Sequence, residues 1–240
     1  MKDYIQGDLF PDFEPTHPKS VDNNSTHSDE NKRERQLLNL HLHNGFPTEG
    51  IEGLPLLSPY NGPLPNDLIS FSDRNKMLYS YGIHCYLYDY KFEQTWSNPS
   101  TVVPCLQKYK CVIGPDFSIF VDQPRAINVW NVYRNRWVTS YWQNQSVRAI
   151  PSASWGRIDS FDYCFDGLPC NSIIAVGHTA IGKDRSYRRL YRLGIETLIQ
   201  RKNPTKLLVY GAPLDFTPKV EVVYYEGKIQ KLRNNGKKNH

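Results

Sequence analysis

The pattern of apolar and polar residues changes along the chain and divides it into four segments. Residues 11–36 combine prolines, an Asn-Asn-Ser-Thr run and mixed charges, which offer little to bury and predict disorder. Only Lys32–Leu40 has a helical pattern there. The next stretch is rich in proline and glycine, which is typical of an extended strap over a domain. The predicted segments are a disordered or partly helical tail over 1–45, a strap over 46–79, an α/β domain over 80–227 and a basic tail over 228–240.

From about residue 80, short β-branched and aromatic runs alternate with helical patterns. Helices are predicted over Pro124–Asn144 and Asp184–Lys202. The alternation indicates an α/β fold with a mainly parallel sheet of about six strands and flanking helices. This number is too small for a complete eight-stranded barrel, so we expect a partial barrel or an open sheet. The predicted strands are Ile83–Tyr88, Cys111–Ile113, Val147–Ile150, Ser172–Val176, Lys206–Tyr210 and Val220–Tyr225.

Several chemically active side chains follow the predicted strands. Because parallel strands deliver their carboxyl ends to one edge of a sheet, we expect these side chains to share a rim. Asp116 is the principal candidate for catalysis and for a Mg²⁺ or Mn²⁺ site, and Asp122 is a second catalytic candidate. Paired carboxylates hold such metals or divide acid and base roles. The other rim candidates are Asp89, Trp155, His178 and Glu226.

Three of the acidic candidates and the histidine also have a structural interpretation. Asp116 lies in Gly-Pro-Asp-Phe-Ser and can make an Asx-turn. Asp122 precedes a proline that suits the first helical turn, so we expect it to cap the following helix. Asp89 is expected on the surface or in a turn, and His178 fits a hydrogen-bonded polar side chain.

Arginine is concentrated in the second predicted helix. Residues Lys183–Lys202 include seven basic side chains against two acidic ones. One interpretation is a solvated helix face. The other is a contact with the phosphate backbone of a nucleic acid, which gains from the release of counterions. The candidate phosphate contacts are Lys183, Arg185, Arg188, Arg189 and Arg192.

Two further arginines, Arg134 and Arg136, flank an aromatic stripe on the first predicted helix. An unpaired buried arginine is costly. We therefore expect the two to pair with Asp116 or Asp122, or to reach phosphate. The stripe, which predicts the face packed on the sheet, consists of Trp130, Tyr133, Trp137 and Tyr141.

Composition excludes several classes of protein. The 240 residues suffice for one large domain or two small ones, and the aromatic content of 13% is enough for a real core. No apolar run approaches the ~20 residues that span a bilayer, and the start of the chain lacks the apolar stretch of a signal peptide. Five cysteines without a Cys-x-x-Cys pair favour reduced thiols in a cytoplasmic protein.

Charge is unevenly distributed. Residues 1–45 carry five basic against eight acidic side chains, whereas the whole chain has a net charge of +5. The remainder is therefore moderately basic. A net positive charge on this part of the chain is typical of proteins that bind polyanions such as nucleic acid, although many proteins with a similar net charge bind no such polymer.

The chain also contains a series of short motifs in a fixed order over roughly residues 65–215. These are Pro115-Asp116-Phe117-Ser118, Asp122-Gln123-Pro124, Trp130–Arg136, Tyr141-Trp142-Gln143, Val147–Pro151, Trp155, Ser160-Phe161, Phe165–Pro169, Ile173–Val176 and Tyr210-Gly211. In this order they resemble a bacterial domain-of-unknown-function family that is frequent in phages, prophages and other mobile elements of Gram-positive bacteria. The family pattern differs at Gly177–Lys183, where a Thr-x-Gly-like loop is expected. The resemblance implies an intracellular protein from a mobile element, and such proteins commonly work on nucleic acid.

Three functional hypotheses follow from these features. The first is a protein that binds or acts on nucleic acid through its basic helix and aromatic-rich domain. The second is a metal-dependent phosphodiester hydrolase that uses the rim carboxylates. The third is a non-enzymatic protein that binds a host partner through its N-terminal tail, strap and aromatic loops.

Overall fold

The computed structural model describes residues 36–42, 45–179, 184–227 and 231. The chain divides into two units, residues 1–45 and residues 46–240. In the described part of the first unit, Leu40–Leu42 forms a short 3-10 helix. The predicted disorder over 11–35 and nearly all of the basic tail lie outside the described residues, as does Lys183.

Ten strand segments occur in the described part of the second unit. A small antiparallel pair, β1 with β2, comes first, and the other segments form two four-stranded sheets in which every pair is parallel. The predicted α/β fold with a mainly parallel sheet is therefore confirmed. The strands are β1 (Thr48–Glu49), β2 (Leu54–Pro55), β3 (Leu68–Ser70), β4 (Gly82–His84), β5 (Cys111–Ile113), β6 (Ala149–Ile150), β7 (Ser152–Ala153), β8 (Ile173–His178), β9 (Lys206–Gly211) and β10 (Val222–Tyr225).

The two sheets are joined by one continuous stretch of chain. β6 pairs with β5, and β7 pairs with β8, while only Pro151 separates the two segments. Because proline has no N–H to donate, the ladder changes partner at this residue. The strands from β3 to β10 therefore follow one another in sequence order across a curved parallel array.

Four helices flank this array in the described residues. They are α1 (Gln94–Ser97), α2 (Pro99–Leu106), α3 (Arg125–Asn144) and α4 (Arg185–Lys202). The two long helices begin one residue later than predicted. Asp184 caps α4, since its Oδ1 accepts from the backbone N–H groups of Ser186 and Tyr187. Pro124 is the residue before α3, and no side chain caps that helix. The expectation that Asp122 caps it was therefore wrong.

Alternate residues of β8 and β9 face two different apolar clusters. Ile174 and Val176 of β8 pack in an outer cluster with α3 and α4, whereas Ile173 and Ala175 face an inner cluster. Both sheets contribute to the inner cluster, and Tyr225 contacts it from β10. The sheets thus enclose a common core, which is the arrangement of a partial barrel.

Side chains close the gap between the edge strands β3 and β10, which do not pair. The Tyr225 hydroxyl donates to the Pro65 carbonyl at 2.7 Å, and Lys231 Nζ lies 2.6 Å from the Asp67 carboxylate. β3 itself lies within the segment predicted as a strap, and the sequence analysis did not anticipate it. No helix in the described residues is long and apolar enough to cross a membrane.

Candidate functional site

A cleft of about 590 Å³ opens at the carboxyl ends of β5, β7 and β8. This is the end of a parallel array at which ligands commonly bind. Its size is within the usual range for small-molecule sites, ~300–1,000 Å³. The lining residues are Asp116, Ser118, Ile119, Phe120, Val121, Asp122, Ala153, Ser154, Trp155, Gly156, Gly177, Thr179, Tyr187, Leu190 and Tyr191.

Asp116 is the most perturbed acidic group of the cleft. The side chain is largely buried, and its Oδ1 has no hydrogen-bond partner among the described residues. Burial raises the pKa of the Asp116 carboxyl from 3.8 to about 7, and the nearby Asp89 raises it further, against a lowering by Ser154 and Arg136. At neutral pH this carboxyl therefore exists in both protonation states and can donate or accept a proton.

Asp89 supports the wall of the cleft and does not line it. It begins a one-turn 3-10 helix, Asp89–Lys91. Its carboxylate accepts from the Ser118 hydroxyl at 2.8 Å and from the Ser118 N–H at 3.1 Å. These two bonds hold the loop that carries Ser118 and Phe120 against the cleft.

Two tyrosines lie near Asp116. Burial raises the pKa of Tyr86 and of Tyr191, and the Asp116 carboxylate adds to the increase in both. The Tyr191 hydroxyl donates to the Gly177 carbonyl at 3.0 Å, and the Tyr86 hydroxyl lies 3.3 Å from Ser152 Oγ. Both phenols therefore stay protonated and engaged at neutral pH. The sequence gives no signal for them as site residues, because a buried tyrosine in a strand or helix pattern indicates core.

His178 is hydrogen-bonded beside the cleft. Its Nδ1 lies 2.6 Å from the Ala212 carbonyl oxygen, and because that oxygen only accepts, Nδ1 carries the proton of this bond. The ring stacks on Tyr191 at a centroid distance of 4.9 Å. His178 is not among the cleft residues, although its neighbours Gly177 and Thr179 are.

Trp155 is placed by a close approach to α4. A Cβ at Gly194 would overlap the Trp155 indole, so only glycine lets the helix and this ring lie so close together. The indole also contacts the Tyr191 ring at a centroid distance of 5.1 Å. The aromatic wall of the cleft therefore depends on this one small residue in α4.

Arg134 and Arg136 bond within the fold and form no ion pair with Asp116 or Asp122 among the described residues, although the charge of Arg136 lowers the pKa of Asp116. The burial of Arg136 excludes the phosphate contact predicted for it. Arg136 is 2% exposed and donates to the carbonyls of Asp166, Ser152 and Cys164. Burial lowers its pKa to about 10, so it stays charged at neutral pH.

Arg134 forms an ion pair with Glu93 at 3.1 Å, and its Nη2 donates to Asn131. Its guanidinium carbon also lies 3.8 Å from the centroid of the Phe117 ring. These contacts hold the side chain between α3 and neighbouring segments.

The arginines of α4 lie on the exposed side of the helix. Arg188 is 3.7 Å from Asp215, and Arg192 pairs with Glu196 at 2.8 Å. Arg185 and Arg189 are exposed and make no ion pair within the described part of the chain. Because residues four apart share a helix face, these two guanidinium groups lie on one side of α4.

The acidic candidates do not assemble into a metal site. No group of three or more His, Cys, Asp or Glu side chains suited to a metal occurs in the residues that the structure describes. Asp122 shares the cleft with Asp116, but the Asp89 oxygens are occupied by Ser118. Glu226 is exposed after β10 and does not line the cleft. Among the described residues, the cleft therefore offers two carboxylates, those of Asp116 and Asp122.

Fold and cleft together define a parallel α/β partial barrel with a ligand-sized site at the carboxyl ends of its strands. Residues 46–226 match the family described as "Domain of unknown function (DUF4417)", and the chain belongs to that family. The resemblance found in the sequence is thus confirmed, and it extends over the segment predicted as a strap.

Two relatives encoded by mycobacteriophages are similar to this chain. The "Gene 1 protein" of Mycobacterium phage D29 is 37% identical over 176 residues, which cover 72% of this chain and 65% of that protein. The "Gene 1 protein" of Mycobacterium phage L5 is 40% identical over 129 residues, 54% of this chain and 56% of that protein. The chain therefore spans less than two thirds of the length of these curated relatives. No solved structure matches it.

Proposed function

We propose that the cleft binds one nucleotide of a nucleic acid, with the base inside and the phosphates on the arginine face of α4. The observation that carries this proposal is that α4 contributes both to the lining of the cleft and to an exposed basic surface. Tyr187, Leu190 and Tyr191 of α4 line the cleft, while Arg185 and Arg189 are exposed on the same first turns. At about 100° per residue the two sets of side chains lie on opposite sides of the first turns of α4, so the aromatic cavity and the cationic surface are separated by about one helix width, ~10 Å.

The chemistry of the cleft suits a nucleobase. Bases taken out of a stack are recognised by aromatic side chains on their faces and by hydrogen bonds on their edges. Trp155 and Tyr191 supply aromatic surface, and Phe120 lies exposed in the opposite loop. Asp116, whose pKa is about 7, supplies a group that either donates to or accepts from a base edge. The exposed arginines supply the salt-dependent attraction for phosphate.

Binding of labelled single-stranded DNA and RNA at several salt concentrations tests the proposal. The Arg185→Glu plus Arg189→Glu variant is compared with Lys76→Glu plus Lys108→Glu, which changes the charge equally at exposed lysines outside the cleft. We expect the arginine variant to flatten the salt slope by about 1.4 units, since each phosphate contact on a single strand contributes ~0.7. The lysine variant should retain binding. Equal losses in the two variants would show that net charge alone is responsible.

The role of Asp116 is tested separately from the phosphates. Asp116→Asn keeps the shape of the side chain but fixes its hydrogen-bonding groups. We expect this variant to keep the salt slope and to change the preference among the bases by about fivefold or more, because a mismatched base edge costs roughly 1–3 kcal/mol. An unchanged base preference would remove Asp116 from recognition.

A second candidate function is acid–base catalysis on the bound nucleotide. It is favoured by the unpartnered Asp116 oxygen and by the elevated pKa of this group, which suits proton transfer near neutral pH. Nucleotides and oligonucleotides are incubated with the protein across a pH series, with and without Mg²⁺, and the products are analysed. Turnover should depend on a group with a pKa near 7 and disappear in Asp116→Asn. Turnover that persists in the folded variant would refute this candidate.

A further inference from the structure

A pair of exposed tyrosines lies beside the cleft wall. Tyr88 and Tyr90 are 73% and 75% exposed, and their rings are nearly parallel, with an interplanar angle of 11° and centroids 6.1 Å apart. Lys91 Nζ lies 5.7 Å from one ring centroid and 5.8 Å from the other. The three side chains thus present two aromatic faces and a cation together at the surface.

This surface is tied directly to the cleft. The residue between the two tyrosines is Asp89, and its carboxylate holds Ser118 through two hydrogen bonds. Ser118 and Phe120 line the cleft, and Phe120 is itself 49% exposed. The tyrosine pair therefore flanks, in sequence, the residue whose carboxylate holds the cleft loop at Ser118.

We propose that Tyr88, Tyr90 and Lys91 form a second subsite, which stacks a base of the same single-stranded nucleic acid next to the nucleotide held in the cleft. This inference rests on the proposed function and extends it from one nucleotide to a strand. Aromatic faces with an adjacent cation are the elements of single-strand binding surfaces, since every base can stack and every nucleotide carries a phosphate. Bases in a duplex are already stacked on one another, so the subsite selects single strands.

The test compares a mononucleotide with an oligothymidine of about twelve nucleotides, long enough to reach both subsites. The variants are Tyr88→Ala plus Tyr90→Ala, Tyr88→Phe plus Tyr90→Phe, and the control Tyr79→Ala, an exposed tyrosine that does not line the cleft. We expect the alanine pair to weaken binding of the oligomer about tenfold or more. Binding of the mononucleotide should not change, and the phenylalanine pair should bind the oligomer as the wild type does. Circular dichroism of each variant verifies the fold.

The outcomes separate this inference from the proposed function. If Arg185→Glu plus Arg189→Glu weakens oligomer binding while the alanine pair binds it normally, the subsite is refuted and the cleft proposal stands. If the wild type binds neither the mononucleotide nor the oligomer, both proposals are overturned. If the alanine pair weakens mononucleotide and oligomer equally, the tyrosines act through the cleft and no second subsite exists.

Discussion

Replacing Asp116 with asparagine removes the carboxyl whose pKa is raised most clearly in the cleft. The folded protein keeps a proton on Asp116 up to about pH 7, whereas the unfolded chain loses it near its ordinary value of 3.8. The folded state therefore binds more protons over this interval, and the stability of the wild type must fall as the pH rises through it. The asparagine side chain does not titrate, so the variant lacks this contribution.

The magnitude follows from the two pKa values. Between about pH 5 and pH 8, the wild type should lose about 2–3 kcal/mol of unfolding free energy relative to Asp116→Asn. The groups that act on Asp116 in the fold include Ser154, Asp89, Arg136, Tyr86 and Tyr191, and they are the same in both proteins. The difference in unfolding free energy between the two proteins therefore reports the contribution of the Asp116 carboxyl.

Urea unfolding followed by tryptophan fluorescence at a series of pH values measures this difference. The expected curve of variant minus wild type rises from pH 5 and levels off above pH 7. A flat curve would refute the raised pKa, and a falling curve would mean that the folded protein stabilises the carboxylate. The second result would also remove the basis for acid–base catalysis by Asp116.

Three further predictions concern residues that shape the fold around the cleft. Arg136→Lys should cost about 3 kcal/mol in urea unfolding, because the compact lysine ammonium lacks the planar fork with which three guanidinium nitrogens reach three separate buried carbonyls. An unchanged midpoint would contradict this. Burial lowers the pKa of His84 to about 3, so the wild type should lose about 2–3 kcal/mol of unfolding free energy as the pH falls from about 6.5 to 4.5. His84→Asn keeps a hydrogen-bond acceptor but does not titrate, so it should not show this loss. Equal losses in the two proteins would refute a neutral buried histidine. Gly194→Ala should displace the Trp155 indole, shift its fluorescence and cost about 2 kcal/mol, whereas an unperturbed spectrum would mean that the helix moves instead.

The pattern of apolar and polar residues predicted the helices more accurately than the strands. The predictions Pro124–Asn144 and Asp184–Lys202 differ from the observed α3 and α4 by one residue at the start. The reason is that a helix is specified by neighbours in sequence, through apolar spacing, proline and the Asp184 cap. The two-residue and three-residue strands carry no such periodicity. β3 was therefore missed, and β4 ends at His84, four residues before its predicted end.

Three residues proposed from the sequence, Asp116, Asp122 and Trp155, line the cleft. Asp116 and Trp155 were predictable because they follow strands, and parallel strands place their carboxyl ends at one edge. Tyr86 and Tyr191 carry no comparable signal, since aromatic residues in buried patterns usually form core. The stacked pair Tyr88–Tyr90 was read as the end of a strand and the turn after it, and its exposure was not predicted.

Information that is local in sequence, such as apolar spacing, helix caps and the order of strands and helices, was enough to predict a parallel α/β fold and two acidic residues of the cleft, Asp116 and Asp122. Local sequence information did not specify which groups interact with each charged side chain. Arg136 contacts carbonyls 16 to 30 residues away, whereas Arg185 and Arg189 stay exposed, although all three are arginines on helices. The difference arises because burial and hydrogen bonding depend on which distant segments pack against a helix face, and a residue type does not encode that packing.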